Sequence, residues 1–155
     1  MSKEIPKVGL GVIILNKENQ VLLILRNNDP KLADSEMRLE GTWTLPAGKL
    51  KYGETLNEAA IKKVKEETNL DIKDVKVISI SDDINSYAHY VTVGLIAHDY
   101  SGKINLGDTL EHVDYGFYDL DNLPDNLCEP SKKIIKNFKN ENIYEEESKW
   151  NYTKT

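Results

Sequence analysis

The sequence predicts an α/β (α+β) fold, and three observations carry that prediction. Short runs rich in β-branched residues alternate along the chain with two segments of helical period. The 155-residue length suits one ordinary domain, able to bury roughly 70% of the surface its unfolded chain exposes. No internal repeat, low-complexity tract or linker interrupts the pattern, so strands and helices are expected to share one layered core.

Residues 8–15 and 20–25 are apolar, β-branched-rich runs separated by Asn16, Lys17, Glu18 and Asn19, and read as a hairpin of buried strands. Residues 27–40 mix charges with Asp29-Pro30 and show no period; they read as a long loop with at most one helical turn, and loops of that length often carry function. Residues 41–46 read as a short strand halted by Pro46, and 47–54, with two glycines and no apolar period, as an ordered loop. Thr55 followed by Glu58 forms a capping box, which opens a helix running to about Asn69, a residue that tolerates the left-handed conformation of a helix end.

Two strands that pair with one another are expected at 75–80 and 88–98, where Tyr90, Thr92 and Gly94 alternate with Val91, Val93 and Leu95. A further strand near 115–118 precedes Leu123-Pro124, and 131–138, with Ile134, Ile135 and Phe138, reads as a terminal helix. The domain is expected to cover residues 1–140, and residues 141–155 read as a solvated tail.

Composition narrows the function classes. With 39% hydrophobic and 30% charged residues the chain is globular in type and not of the disordered kind. The longest apolar runs fall far short of the ~20 residues that cross a bilayer, and the N-terminus has no signal-like apolar stretch, so a cytoplasmic protein without a membrane partner is expected. A single cysteine, Cys128, excludes an internal disulfide and is read as inert. A net charge of −6 argues against duplex nucleic acid as a partner, while a divalent ion still allows a small phosphorylated one.

The chemistry is concentrated in residues 45–70, where a glycine-bearing turn leads into a helix whose last turns carry adjacent acids. At 100° per residue, Glu66 and Glu67 flank the direction of Lys63, beside the apolar stripe of Leu56, Ala60 and Val64. Two nearby carboxylates, a loop carbonyl that glycine lets come close, and substrate phosphate oxygens together suit Mg²⁺. Such an ion neutralises a diphosphate and acidifies a water for attack at phosphorus. The competing reading is a surface helix laced with salt bridges, since Glu58, Lys62 and Glu66 are spaced four apart, as are Lys63 and Glu67.

The wider pattern resembles the box of the Nudix family. Gly48, Glu54, Val64, Glu66, Glu67 and Leu70 fall in its register, and Trp43 to Gly48, the Gly53-Glu54 pair and Leu123-Pro124 resemble its surroundings, so that the likeness spans most of residues 8–138. Lys62 stands where the family has Arg, Lys63 where it has the first Glu of an acidic trio, and Asn69 where it has Gly.

The resemblance implies an α/β/α sandwich around a mixed β-sheet and a Mg²⁺-dependent pyrophosphohydrolase, with Mn²⁺ as a substitute ion. Its substrate would be a nucleoside diphosphate linked to a further group, such as a nucleoside triphosphate. Glu66 and Glu67 would be catalytic, and the Ala47 carbonyl, Glu66, Glu67 and Glu111 would bind metal, with Asp108 and Asp114 as rivals to Glu111. Arg26, Gly48, Lys63 and Tyr90 are the candidate substrate contacts, although Arg26 also reads as an edge cap and Tyr90 as core. A homodimer is a reasonable expectation from the same resemblance. A second reading keeps the fold and nucleotide binding but has Lys63 ending turnover. His89, His98 and His112 lack metal-ligand spacing and are expected to carry no chemistry.

Overall fold

The computed structural model describes residues 4–147 and 149–152. Its elements run β1 (Lys7–Ile14), β2 (Gln20–Arg26), β3 (Trp43–Thr44), β4 (Ala47–Lys49), α1 (Leu56–Thr68), β5 (Asp71–Ile72), β6 (Val75–Ile84), β7 (His89–Ala97), β8 (Tyr100–Ser101), β9 (His112–Asp119) and α2 (Glu129–Asn140). A mixed four-stranded sheet has the order β4-β1-β7-β6, in which β1 and β7 are parallel and the other pairs antiparallel. A three-stranded sheet has the order β3-β2-β9.

Alternation along the central strands explains the layering. Leu10, Val12 and Ile14 of β1, with Val93 and Leu95 of β7, pack toward Ala59, Ala60 and Val64 of α1. Ile13 and Ile96 point the other way, toward Ile134 and Ile135 of α2. Successive side chains of a strand leave opposite faces, so the sheet lies between the two helices, and the α+β class with a mixed sheet is what the sequence predicts.

The first two strands do not form the expected hairpin. Only the bridge Leu15↔Val21 joins them; β1 instead takes β7 and β4 as neighbours, and β2 takes β3 and β9. Strands buried on both faces need partners along their whole length, and β7 offers β1 eight register pairs that a short local turn cannot supply. The supposed loop after Pro46 also contains a strand, β4, whose backbone pairs with Gly9, Leu10 and Gly11 although its sequence has no strand period.

The local signals at α1 hold. The Thr55 side chain accepts from Glu58 N–H, the Glu58 carboxylate accepts from Thr55 N–H, and Asn69 closes the helix at φ 67°. Beyond α2, side chains of the described tail residues are largely exposed, while its backbone is tied to β6: Ile80 N–H donates to Ile143 O at 2.8 Å and Trp150 N–H to Ile84 O at 3.1 Å. Residues 1–3, 148 and 153–155 lie outside the described residues. No described helix is long and apolar enough to cross a membrane.

Two contacts hold α2 and the long loop of residues 27–40 in place. Gly11 and Gly94 are register partners on β1 and β7, and Ile134 of α2 seats on both. A Cβ on Gly11 would stand 2.8 Å from Ile134 Cδ1, and one on Gly94 would stand 2.7 Å from Ile134 Cγ2 and 2.8 Å from Ser79 Cβ. The second contact ties down the long loop. Glu36 receives Lys7 Nζ of β1 and Lys49 Nζ of β4, both at 2.6 Å, and the Tyr90 hydroxyl of β7. The lysines and the tyrosine hold its carboxyl down at about 2.

Gly11→Ala is expected to destabilise by about 1–3 kcal/mol. Ile134→Val, which removes the clashing Cδ1, should recover part of that loss, but should not rescue Gly94→Ala, where Cγ2 remains. Urea denaturation of the two double-mutant cycles reads this directly, and additivity at Gly11 would contradict the seat.

Because folding favours ionised Glu36, its stabilisation is complete above the ordinary carboxylate range near 4.5 and drains away as pH falls toward 2. Its side chain is 32% exposed, so solvent screening reduces the contribution to about 1 kcal/mol. The stability gap between the native chain and Glu36→Gln should therefore be widest above pH 5 and shrink on acidification. A gap that is constant with pH would refute the ionic tie.

Candidate functional site

The site forms where β4, the C-terminal turns of α1 and the adjoining ends of β2 and β9 meet. In the β1–β4 ladder, Val12 N–H donates to Pro46 O and Leu50 N–H to Val8 O. Hydrogen-bonded pairs alternate in an antiparallel ladder, so Ala47, opposite Gly11, turns its N–H and carbonyl away from β1. Its N–H donates to Glu67 Oε1 at 3.0 Å. Gly48 is small for a reason of its own, because a Cβ there would stand 2.5 Å from Lys63 Cε, whose stem lies across it.

On α1, Ala60 and Val64 are buried, so Lys63 and Glu67, one turn apart and both on the same flank of that stripe, are carried to the edge of the core. Glu66 is exposed and lies 3.5 Å from Lys63 Nζ. Lys62 reaches Glu54 at 3.6 Å, so the lysine at the arginine position keeps the pairing a guanidinium would make.

The third wall comes from a β-bulge. β2 and β9 pair Leu25 with Asp114 and then Arg26 with His112, so Val113 is the extra residue. A bulge re-aims side chains, and here it turns His112 inward while Val113 faces solvent. Asn27 N–H holds Glu111 O at 2.8 Å, fixing Glu111 beside them. One ligand atom each from Glu67, Glu111 and His112 lies within 4.8 Å of the others.

Burial pushes the Glu67 carboxyl up to about 8; the Ala47 N–H opposes this and the Glu111 charge adds to it. Burial also lowers His112 to about 4, helped by the Arg26 charge, so the imidazole is neutral at pH 7. Two carboxylates beside a neutral imidazole, with the outward carbonyl of Ala47, form a donor set that suits a divalent cation.

These groups open onto a cavity of about 450 Å³. Arg26, Gly48, Lys63, Glu66 and Tyr90 line it as well, so the structure gathers every site residue the sequence singled out into one space. Arg26 does more than end a strand: its Nη2 donates to Ala33 O and Asp34 O, pinning the long loop, while its buried Nε has no hydrogen-bond partner among the described residues. Asp108 and Asp114 do not line the cavity, whereas Glu111 does. Sequence reasoning did not single out Glu36 and read His112 as carrying no chemistry, yet both line this cavity. The first lies in a periodless loop, and the second is brought in only by the bulge.

Comparison with known proteins identifies the arrangement. The NUDIX domain family model matches residues 5–138. The ADP-ribose pyrophosphatase of Methanocaldococcus jannaschii is 33% identical over 127 residues, 81% of this chain and 69% of that protein. Nudix hydrolase 6 of Arabidopsis thaliana is 29% identical over 86 residues, 56% of this chain but only 29% of that longer protein. Among solved structures, a MutT Nudix hydrolase from Burkholderia pseudomallei superposes with a TM-score of 0.75 at 26% identity, covering 86% of this chain and 98% of the other. With the loop-helix-loop of residues 48–70 set against a mixed sheet between two helices, and a family match over nearly the whole fold, the chain belongs to the Nudix hydrolase family.

Proposed function

We propose that this protein is a divalent-cation-dependent pyrophosphohydrolase, with Mg²⁺ the ion the family resemblance implies, that cleaves a nucleoside diphosphate linked to a further group. The observation that carries the reading is the opposition of charges across one cavity: Glu67 and Glu111 on one side, Lys63 and Arg26 close by. A diphosphate needs cations on both flanks, and this arrangement offers side-chain cations together with acids that would hold a metal.

In this reading Glu67, Glu111 and the Ala47 carbonyl hold the ion, with Glu66 reaching it from the exposed side. The bound ion supplies charge neutralisation and an acidified water. Ala47 N–H orients the Glu67 carboxylate, and the lysine stem packed on Gly48 aims its ammonium at the phosphates. Tyr90 and the Glu36-anchored loop line the same cavity and would meet the nucleoside or leaving group. The likeness to an ADP-ribose pyrophosphatase makes ADP-ribose the first compound to test, followed by nucleoside triphosphates and dinucleoside polyphosphates.

One observation favours a second reading. The Lys63 ammonium, 3.5 Å from Glu66, offsets one of the acids that would hold the cation, which suits a nucleotide-binding module without turnover.

Incubation of the purified chain with this panel, with Mg²⁺ or with chelator, is expected to give metal-dependent phosphate products. Glu67→Gln should lower turnover by roughly 10²-fold or more. Nucleotide binding with no turnover on any compound would favour the binding module.

Lys63→Gln is expected to raise KM by roughly tenfold or more, the loss of one charge-assisted hydrogen bond to phosphate, without weakening cation affinity. Titration calorimetry with the ion alone separates the two effects. An unchanged KM would remove Lys63 from the substrate contacts.

A further inference from the structure

We propose that His112 is a direct ligand of the cation, so that one imidazole nitrogen joins the carboxylates and the site is biased from Mg²⁺ toward transition ions such as Mn²⁺. This rests on the cation-dependent function proposed for the same cavity and deepens it.

The position of His112 is unusual for a structural histidine. The β2–β9 bulge buries an imidazole, 6% exposed, and leaves its neighbour Val113 52% exposed, the reverse of the ordinary preference of the two side chains. The buried ring gains no compensating hydrogen bond among the described residues. Its Nε2 has no partner, and its Nδ1 stands 3.6 Å from Glu111 Oε1, longer than a hydrogen bond. Buried polar groups are normally satisfied, and an imidazole with neither nitrogen hydrogen-bonded, one of whose nitrogens lies within 4.8 Å of a carboxylate oxygen of Glu67 and of Glu111, is explained by an ion that all three residues share.

The composition of the box points the same way. Lys63 sets an ammonium among the acids of the same cavity, 3.5 Å from Glu66, and so takes up part of their charge. An imidazole adds a donor there without adding a charge. Mg²⁺ prefers all-oxygen coordination and accepts nitrogen poorly, whereas Mn²⁺ and its heavier neighbours bind imidazole increasingly well.

The test uses Mn²⁺ alone on the untagged full chain, read by electron spin-echo envelope modulation, which detects a directly bound ¹⁴N. Nitrogen modulation is expected in the native protein and in the double variant His89→Asn/His98→Asn, where His112 is the only one of the three histidines left. It should vanish in His112→Gln, whose Mn²⁺ affinity should fall roughly tenfold while Mg²⁺ affinity changes by less than about threefold. If His112→Gln does not fold, the double variant decides alone: nitrogen modulation there supports the ligand and its absence overturns it. Mn²⁺ bound in a purely oxygen environment overturns the His112 assignment and leaves the cation site standing. No Mn²⁺ binding at all overturns both.

Discussion

The pairing of β4 with β1 is the constraint on which the site depends. It is a short contact, three register pairs, and its sequence gives little sign of a strand. Yet it decides which way the Ala47 peptide faces. Because Ala47 sits at a non-hydrogen-bonded position of the ladder, its N–H is turned to the helix side, where it meets the Glu67 carboxylate at 3.0 Å. A slip of one residue would exchange these roles, pointing the Ala47 N–H into β1 and leaving Glu67 buried without a donor.

That arrangement sets up an electrostatic tension. Glu67 is held where its charge is disfavoured, up at about 8, beside Glu111 and within the influence of Lys63 and Arg26. A buried carboxyl of this kind subtracts from stability once it ionises, unless a cation arrives. Glu67 relieves this tension by holding a proton, and the two side-chain cations offset its charge only in part. Lys63 is turned toward exposed Glu66, and the Arg26 Nη2 is occupied by loop carbonyls.

Legibility in the sequence followed the range of the interaction. The capping box at Thr55 and Glu58 and the left-handed end at Asn69 are interactions within four residues, and the residue types alone specify them. The antiparallel partnership of β6 and β7 joins neighbours in the chain and is legible too. The separation of β1 from β2 is not, because it is decided by β7, more than seventy residues away, which outcompetes the local turn for the inner strand. Glu36 and His112 escape for a related reason. A loop without period gives no hint that lysines from two strands and a tyrosine from a third converge on one carboxylate, and a bulge is a two-strand property that neither strand announces alone. The acids of the box, by contrast, are legible because helix geometry places them relative to the core stripe without outside help.

Lys63 shows how a departure from a family pattern can be built in and not merely tolerated. Its side chain is only 17% exposed, its stem lies across Gly48, and no larger residue could occupy position 48 without displacing it. The glycine of the turn thus has two partners: the backbone that must bring Ala47 close to Glu67, and the lysine that must pass over it. A lysine that had simply replaced an unneeded acid would be free to reach solvent, as Lys62 and Lys65 do. Its stem is the part that is covered, while its ammonium reaches the exposed Glu66 carboxylate at 3.5 Å. The packing of Lys63 on Gly48 thus fixes where its charge stands, at the rim of the cavity beside Glu66.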